Sequence, residues 1–105
     1  MTALFRGEVW WGEAPDQKGR PYLVLTRNEA ISVLRTVVVA PITRTIRDIP
    51  SEVHLGRPEG LAIECAANFD NVLAFPKAML VRRVGALGAQ RVDDVCRAMS
   101  AAIDC

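Results

Sequence analysis

Apolar residues in this chain come in short dense runs along most of its length and on a single helical stripe at its end. Glu8-Val9-Trp10-Trp11 reads as a first strand, ended by Gly12 and a turn around Pro15-Asp16, with Lys18-Gly19 closing the loop. A second strand runs from Pro21 to Thr26, and Asn28 to Leu34 is a short irregular or one-turn excursion. The β-branched Thr36-Val37-Val38-Val39 then opens a third strand that runs to Ile42. Pro41 has no N–H for a ladder, which predicts a sheet edge or a bulge at that strand's far end and puts Thr43 near solvent. Ser51 to Leu55 alternates polar with apolar, and Gly56 to Gly60 is a turn. Leu61 to Cys65 is expected to return as the second strand of a hairpin. Asn68 to Leu73 reads as a short strand or loop, and Met79 to Val84 as a last strand in which Arg82 and Arg83 mark the turn back to solvent.

From Gly88 onward the period changes. Val92, Val95, Cys96, Met99 and Ile103 fall on one face of a helix, with Asp93 and Asp94 in early turns where carboxylates suit the helix dipole. Six or so short strands and one closing helix predict a mainly β fold with a C-terminal helix (α+β), a small bent sheet or SH3-like barrel under a helical lid.

At 105 residues, half of them apolar and without repeats or low-complexity stretches, the chain is expected to form one domain over 1–105. No apolar run approaches the roughly 20 residues that cross a bilayer. Met1 to Gly7 lacks the apolar block of a signal peptide, so the expectation is a cytoplasmic protein with no membrane contact. Cys65, Cys96 and Cys105 show no C-x-x-C spacing and His54 is the lone histidine, so these residues predict reduced thiols and no zinc site.

The net charge of +1 hides a polarised chain. Residues 18–47 carry Lys18, Arg20, Arg27, Arg35, Arg44 and Arg47 against Glu29 alone, whereas residues 48–76 carry five carboxylates against Arg57 alone. Of the 13 basic residues 11 are arginine, whose planar fork grips phosphate at two points.

Two residues in the basic stretch suit phosphate chemistry. Arg20 precedes a proline, which holds its backbone extended at the mouth of a strand. Its permanent charge would stabilise the dianionic phosphorane formed when a nucleophile attacks phosphorus. Thr43, at the end of the next strand, can donate a hydrogen bond to a non-bridging oxygen or accept one from a ribose 2′-hydroxyl. One histidine is too few for a paired acid and base unless a dimer supplies the second. Gly-rich phosphate loops, G-x-S-x-G elbows and convincing carboxylate pairs are absent from the sequence. Trp10, Trp11, Tyr22, Phe69 and Phe75 are candidates for stacking single-stranded RNA bases, although core packing claims most such rings.

Taken in order, Arg6-Gly7-Glu8-Val9-Trp10-Trp11, Gly19-Arg20-Pro21 and Pro41-Ile42-Thr43 resemble the MazF/PemK family of toxin endoribonucleases. The likeness continues through Gly60-Leu61, Asp70-Asn71-Val72, Lys77 and Val81-Arg82-Arg83-Val84-Gly85-Ala86-Leu87, and so covers nearly the whole chain. It implies an SH3-like barrel of the MazF/PemK/CcdB type, built as a homodimer. It also implies cleavage of single-stranded RNA at short sequences, without metal or other cofactor, by 2′-hydroxyl attack that leaves a 2′,3′-cyclic phosphate and a 5′-hydroxyl. The family's catalytic arginine and threonine fall on Arg20 and Thr43. The loop Glu13 to Gly19 would help to grip RNA through Gln17 and Lys18, and Arg44 with Lys18 would hold flanking phosphates. A cognate antitoxin with an acidic and apolar tail is the implied protein partner. Two other activities are compatible with the same barrel. One is a gyrase-poisoning toxin that catalyses nothing, whose helix would end in a Trp-Gly-Ile tail not found in Ala102-Ile103-Asp104-Cys105. The other is a degenerate RNA- or peptide-binding module.

Overall fold

A computed structural model of the chain describes residues 3–103. Seven strands form one antiparallel, strongly bent sheet: β1 (Glu8–Gly12), β2 (Arg20–Val24), β3 (Thr36–Thr43), β4 (Glu52–Leu55), β5 (Cys65–Asn68), β6 (Leu73–Pro76) and β7 (Leu80–Ala86). A one-turn helix, α1 (Asn28–Ile31), follows β2, and the chain closes with α2 (Val92–Ile103). The sheet order is β4-β5-β3-β2-β1-β7, with β6 also paired to β3. This is a half-barrel with a C-terminal helix, as the residue pattern predicts.

The near-continuous apolar runs of β1 to β3 arise because both faces of the sheet are covered. Alternate residues divide between two cores. Val9, Leu23, Ala40, Ile42, Val53, Leu55 and Phe69 pack with Val95 and Ala98 of α2. Trp10, Tyr22, Val24, Val37, Val39 and Phe75 pack with Ile31 of α1 and Leu80 on the other face. Four of the five candidate stacking rings, Trp10, Tyr22, Phe69 and Phe75, are therefore buried, and Trp11 alone stays partly open.

Pro41 corrects the expectation of an edge or bulge, because β3 is the central strand. It pairs with β6 over Thr36–Val39, with β2 over Val39–Pro41 and with β5 over Ile42–Thr43. The Leu25 N–H donates to the Val38 carbonyl, so ladder alternation turns the Pro41 nitrogen away from β2. On that side β6 has ended and β5 has not begun. The missing N–H falls in the gap between two partner strands.

Three other elements differ from the sequence reading. The partner of β4 is Cys65–Asn68 and not Leu61–Cys65: the strand position between β3 and β4 in the sheet is buried on both faces and is filled by the small side chains of Cys65, Ala66 and Ala67. Asn68 to Leu73 becomes a 3-10 turn over Phe69–Asn71, and a separate strand, β6, follows. Arg82 and Arg83 lie inside β7, opposite Trp11 and Trp10, and do not mark its end. The α2 stripe is also rotated, with Val95 and Ala98 buried while Val92, Cys96 and Ile103 stay exposed. Ala98 and Ala102 let the helix approach the sheet closely, so the small side chains face inward.

Cys65 and Cys96 are free thiols, and Cys105 lies outside the described residues. Among the described residues no helix is long and apolar enough to cross a membrane.

Candidate active site

Arg20 opens β2 opposite Gly12, and its side chain is exposed. The β2–β3 ladder pairs Val24 with Val39, Leu23 with Ala40 and Tyr22 with Pro41. The ladder stops there, because Pro21 has no N–H to give Ile42. Arg20 begins β2 and Thr43 ends β3, and these strands run antiparallel as neighbours, so the two residues lie at the same end of adjacent strands, where β3 has turned from β2 to pair with β5. They share the face that carries Tyr22 and Trp10.

Thr43 pairs with Ala66 of β5, and Ala66 pairs with His54 of β4. His54 nevertheless points to a different partner: its Nε2 lies 3.5 Å from Asp48 Oδ1, in a contact open to solvent. The segment 44–51 must travel back across β5 to join two strands that run the same way. Ala66 and Asn68, on the face shared by Thr43 and His54, are buried. The imidazole's contact is to Asp48 on this crossover.

Thr43 is half-buried, and its Oγ1 accepts the Thr45 N–H at 3.1 Å. One lone pair is thereby occupied while the hydroxyl hydrogen remains free to donate. Arg44, the next residue, is exposed and lies near the Cys65 thiol. Burial pushes that thiol's pKa up, against the pull of the Arg44 guanidinium.

On the other side of Arg20, Gln17 and Lys18 stand exposed on the β1–β2 loop. The loop is fixed at its end by Trp11, whose indole packs so closely on Gly19 that a Cβ there would run into the ring. Trp11 Nε1 donates to Glu13 at 3.1 Å, and the Arg82 guanidinium stands 5.8 Å from the ring centroid. Gly19 is thus required beside Arg20 because an aromatic ring takes the space of its side chain. Pattern reading places Trp11 on a strand but gives no hint of this contact.

One functional candidate escaped the sequence. Glu52 occupies a polar position in an alternating strand, which reads as solvent-facing, yet it is 4% exposed. Its Oε1 accepts the N–H groups of Arg47 and Asp48 at 2.9 and 3.1 Å. Among the described residues no group of His, Cys, Asp and Glu side chains is arranged to hold a metal ion.

Residues 5–103 match the family model of the PemK-like, MazF-like toxins of type II toxin–antitoxin systems. The chain is 44% identical to the probable endoribonuclease MazF5 of Mycobacterium tuberculosis, over all of this chain and 98% of that protein. It is 36% identical to the probable endoribonuclease MazF2 of the same organism, over 95% of this chain and 98% of that one. Among solved structures it resembles the Mycobacterium tuberculosis toxin MazF-mt6, with a TM-score of 0.86 and 32% identity, covering 92% of this chain and 96% of that one.

Proposed function

Since the chain belongs to the PemK-like, MazF-like toxins of type II toxin–antitoxin systems, we propose that it is an endoribonuclease that cleaves single-stranded RNA without metal. The observation that supports this reading is the antiparallel pairing of β2 with β3, which brings the start of one, Arg20, and the end of the other, Thr43, to the same end of the sheet. The ribose 2′-oxygen attacks the adjacent phosphorus and gives up its proton to water, the O2′–P bond forms, the P–O5′ bond breaks, and the departing 5′-oxygen takes a proton from water. The products are a 2′,3′-cyclic phosphate and a 5′-hydroxyl. Arg20 stabilises the charge that gathers on the phosphorane oxygens, an interaction stronger in the transition state than in the bound substrate. Thr43 donates its free hydroxyl hydrogen to a non-bridging oxygen, the role favoured by the N–H that Thr45 already gives its Oγ1. Gln17, Lys18 and Arg44, exposed on either side of this pair, hold neighbouring nucleotides.

The protein acts in the cytoplasm as a homodimer, and a cognate antitoxin restrains it by covering the basic end of the sheet. Family membership supports the antitoxin, and the clustering of Lys18, Arg20 and Arg44 near one end of the sheet supports an acidic tail as its contact. The test is incubation of the purified protein with a long single-stranded RNA in excess chelator, followed by mapping of the 5′ ends. Ends bearing a hydroxyl are expected. Intact RNA, ends bearing a phosphate or cleavage abolished by the chelator would each refute the reading.

A further inference from the structure

The segment between Thr43 and β4 has almost nothing to hold it. Residues 44–50 are all exposed, and even Ile46 and Ile49 keep 39% and 37% of their surface open. Hydrophobic burial therefore does not set its path. Glu52 does the opposite of its neighbours: its side chain is buried at the root of the crossover, on the same face as Thr43. Carboxylates are seldom buried, since removal from water is costly unless hydrogen bonds replace the lost solvation. Here two successive backbone N–H groups, of Arg47 and Asp48, converge on Oε1, while no described residue partners Oε2. Asp48 takes a left-handed conformation with φ of 57°, the kind of turn that aims consecutive N–H groups at one anion. The Glu52 N–H also returns to the Ile49 carbonyl at 3.0 Å, which closes the crossover on its own root.

We infer that Glu52 is a positioning residue of the site, clamping the crossover over β5 and so fixing Arg44, Arg47 and the hydroxyl of Thr43. The clamp holds residues 47 and 48, and two positions earlier the Thr45 N–H binds Thr43 Oγ1. Arg44 lies within that contact and Arg47 follows it, on a segment whose geometry depends on one carboxylate. With the clamp intact, Arg47 joins Arg44 as a phosphate contact beside Thr43. With it broken, the crossover loosens and Thr43 loses the N–H that orients its hydroxyl. The catalytic half of this inference rests on the endonuclease reading. The structural half does not.

The experiment compares the wild-type protein with Glu52→Met, which fills similar volume without an acceptor, and Glu52→Gln, which keeps one carbonyl oxygen. Circular dichroism and melting report the fold, hydrogen exchange reports the amides of residues 45–48, and single-turnover cleavage of RNA reports the chemistry. Loss of charge-assisted hydrogen bonds to the backbone should speed exchange at Arg47 and Asp48 and lower the cleavage rate by roughly ten- to a hundredfold in Glu52→Met. KM should change much less, and Glu52→Gln should stay within about threefold of wild type, since it retains the acceptor. A folded Glu52→Met protein with wild-type exchange at 47 and 48 overturns the clamp. Faster exchange with an unchanged cleavage rate overturns its link to Thr43. The wild-type protein alone also decides, should Glu52→Met fail to fold: its Arg47 and Asp48 amides must exchange far more slowly than that of Arg44, and equal rates end the proposal. If wild type cleaves no RNA the endonuclease reading falls, while the exchange data still judge the clamp.

Discussion

Arg20 and Thr43 are separated by a strand, a helical turn and most of a second strand, yet antiparallel pairing of those strands returns them to the same end of the sheet. A guanidinium serves this position because it offers two parallel N–H donors and never loses its charge. Arg20→Ala should leave the melting temperature nearly unchanged, since the side chain is exposed, and lower the cleavage rate at least about a hundredfold. Near-normal cleavage by the folded variant would remove Arg20 from the mechanism. At Thr43 the informative comparison is valine against serine. Thr43→Ser keeps the hydroxyl and should stay within about tenfold of wild type, whereas Thr43→Val keeps the shape, loses the donor and should fall by a hundredfold or so. Equal rates for the two variants would show that the hydroxyl does nothing.

At the scale of elements, α2 is pinned to the sheet by charge as well as by Val95 and Ala98. Arg91 Nε donates to Asp94 Oδ2 at 2.9 Å and its NH1 to the buried Glu59 Oε2 at 3.3 Å, and Arg97 donates to Asp94 Oδ1 at 3.0 Å. The hydrogen bond from Arg91, reinforced by Arg97, holds the Asp94 carboxyl below the usual carboxylate range. A carboxylate depressed in the folded state contributes stability above its unfolded pKa of about 3.9, and this is lost as pH falls through the lower folded value. Asp94→Asn should therefore melt earlier than wild type at pH 7, by a modest amount suited to a partly exposed pair, and the difference should shrink as pH falls through the lowered folded value. A gap that persists in acid would assign the effect to packing.

Closure of the half-barrel depends on two glycines. Gly60, with φ of 90°, lies against the carbonyl of Val84, and Gly85 of β7 lies against the carbonyl of Glu59. A Cβ at either position would collide with backbone that has no room to move. The turn after β4 thus reaches the β7 edge by direct backbone contact where no strand pairing joins them. Gly85→Ala should cost about 2–4 kcal/mol and lower the melting temperature by roughly 10–25 °C. A near-wild-type melt would mean that the ends of the sheet can separate freely.

The strands β1 and β2, the one-turn helix, the start of β3 and the closing helix were legible because their apolar periods and their Gly and Pro punctuation are local signals. Local patterns also singled out Gly19-Arg20-Pro21 and Thr43, since a charged or hydroxylic residue at a strand end is visible in one dimension. Partner choice was not legible. Whether Pro41 meets an edge, which of residues 61–68 pair with β4, and whether Glu52 faces water or the interior all depend on strands distant in sequence. A strand's alternation says which residues share a face and never says what covers it. The residues by themselves determined β1, β2, the start of β3 and the closing helix, the basic character of the middle stretch and the two candidates for phosphate chemistry. Tertiary structure alone decided that these two fall at the same end of neighbouring strands and that a buried carboxylate takes the backbone N–H groups of the crossover, because register, crossover path and burial are properties of paired segments.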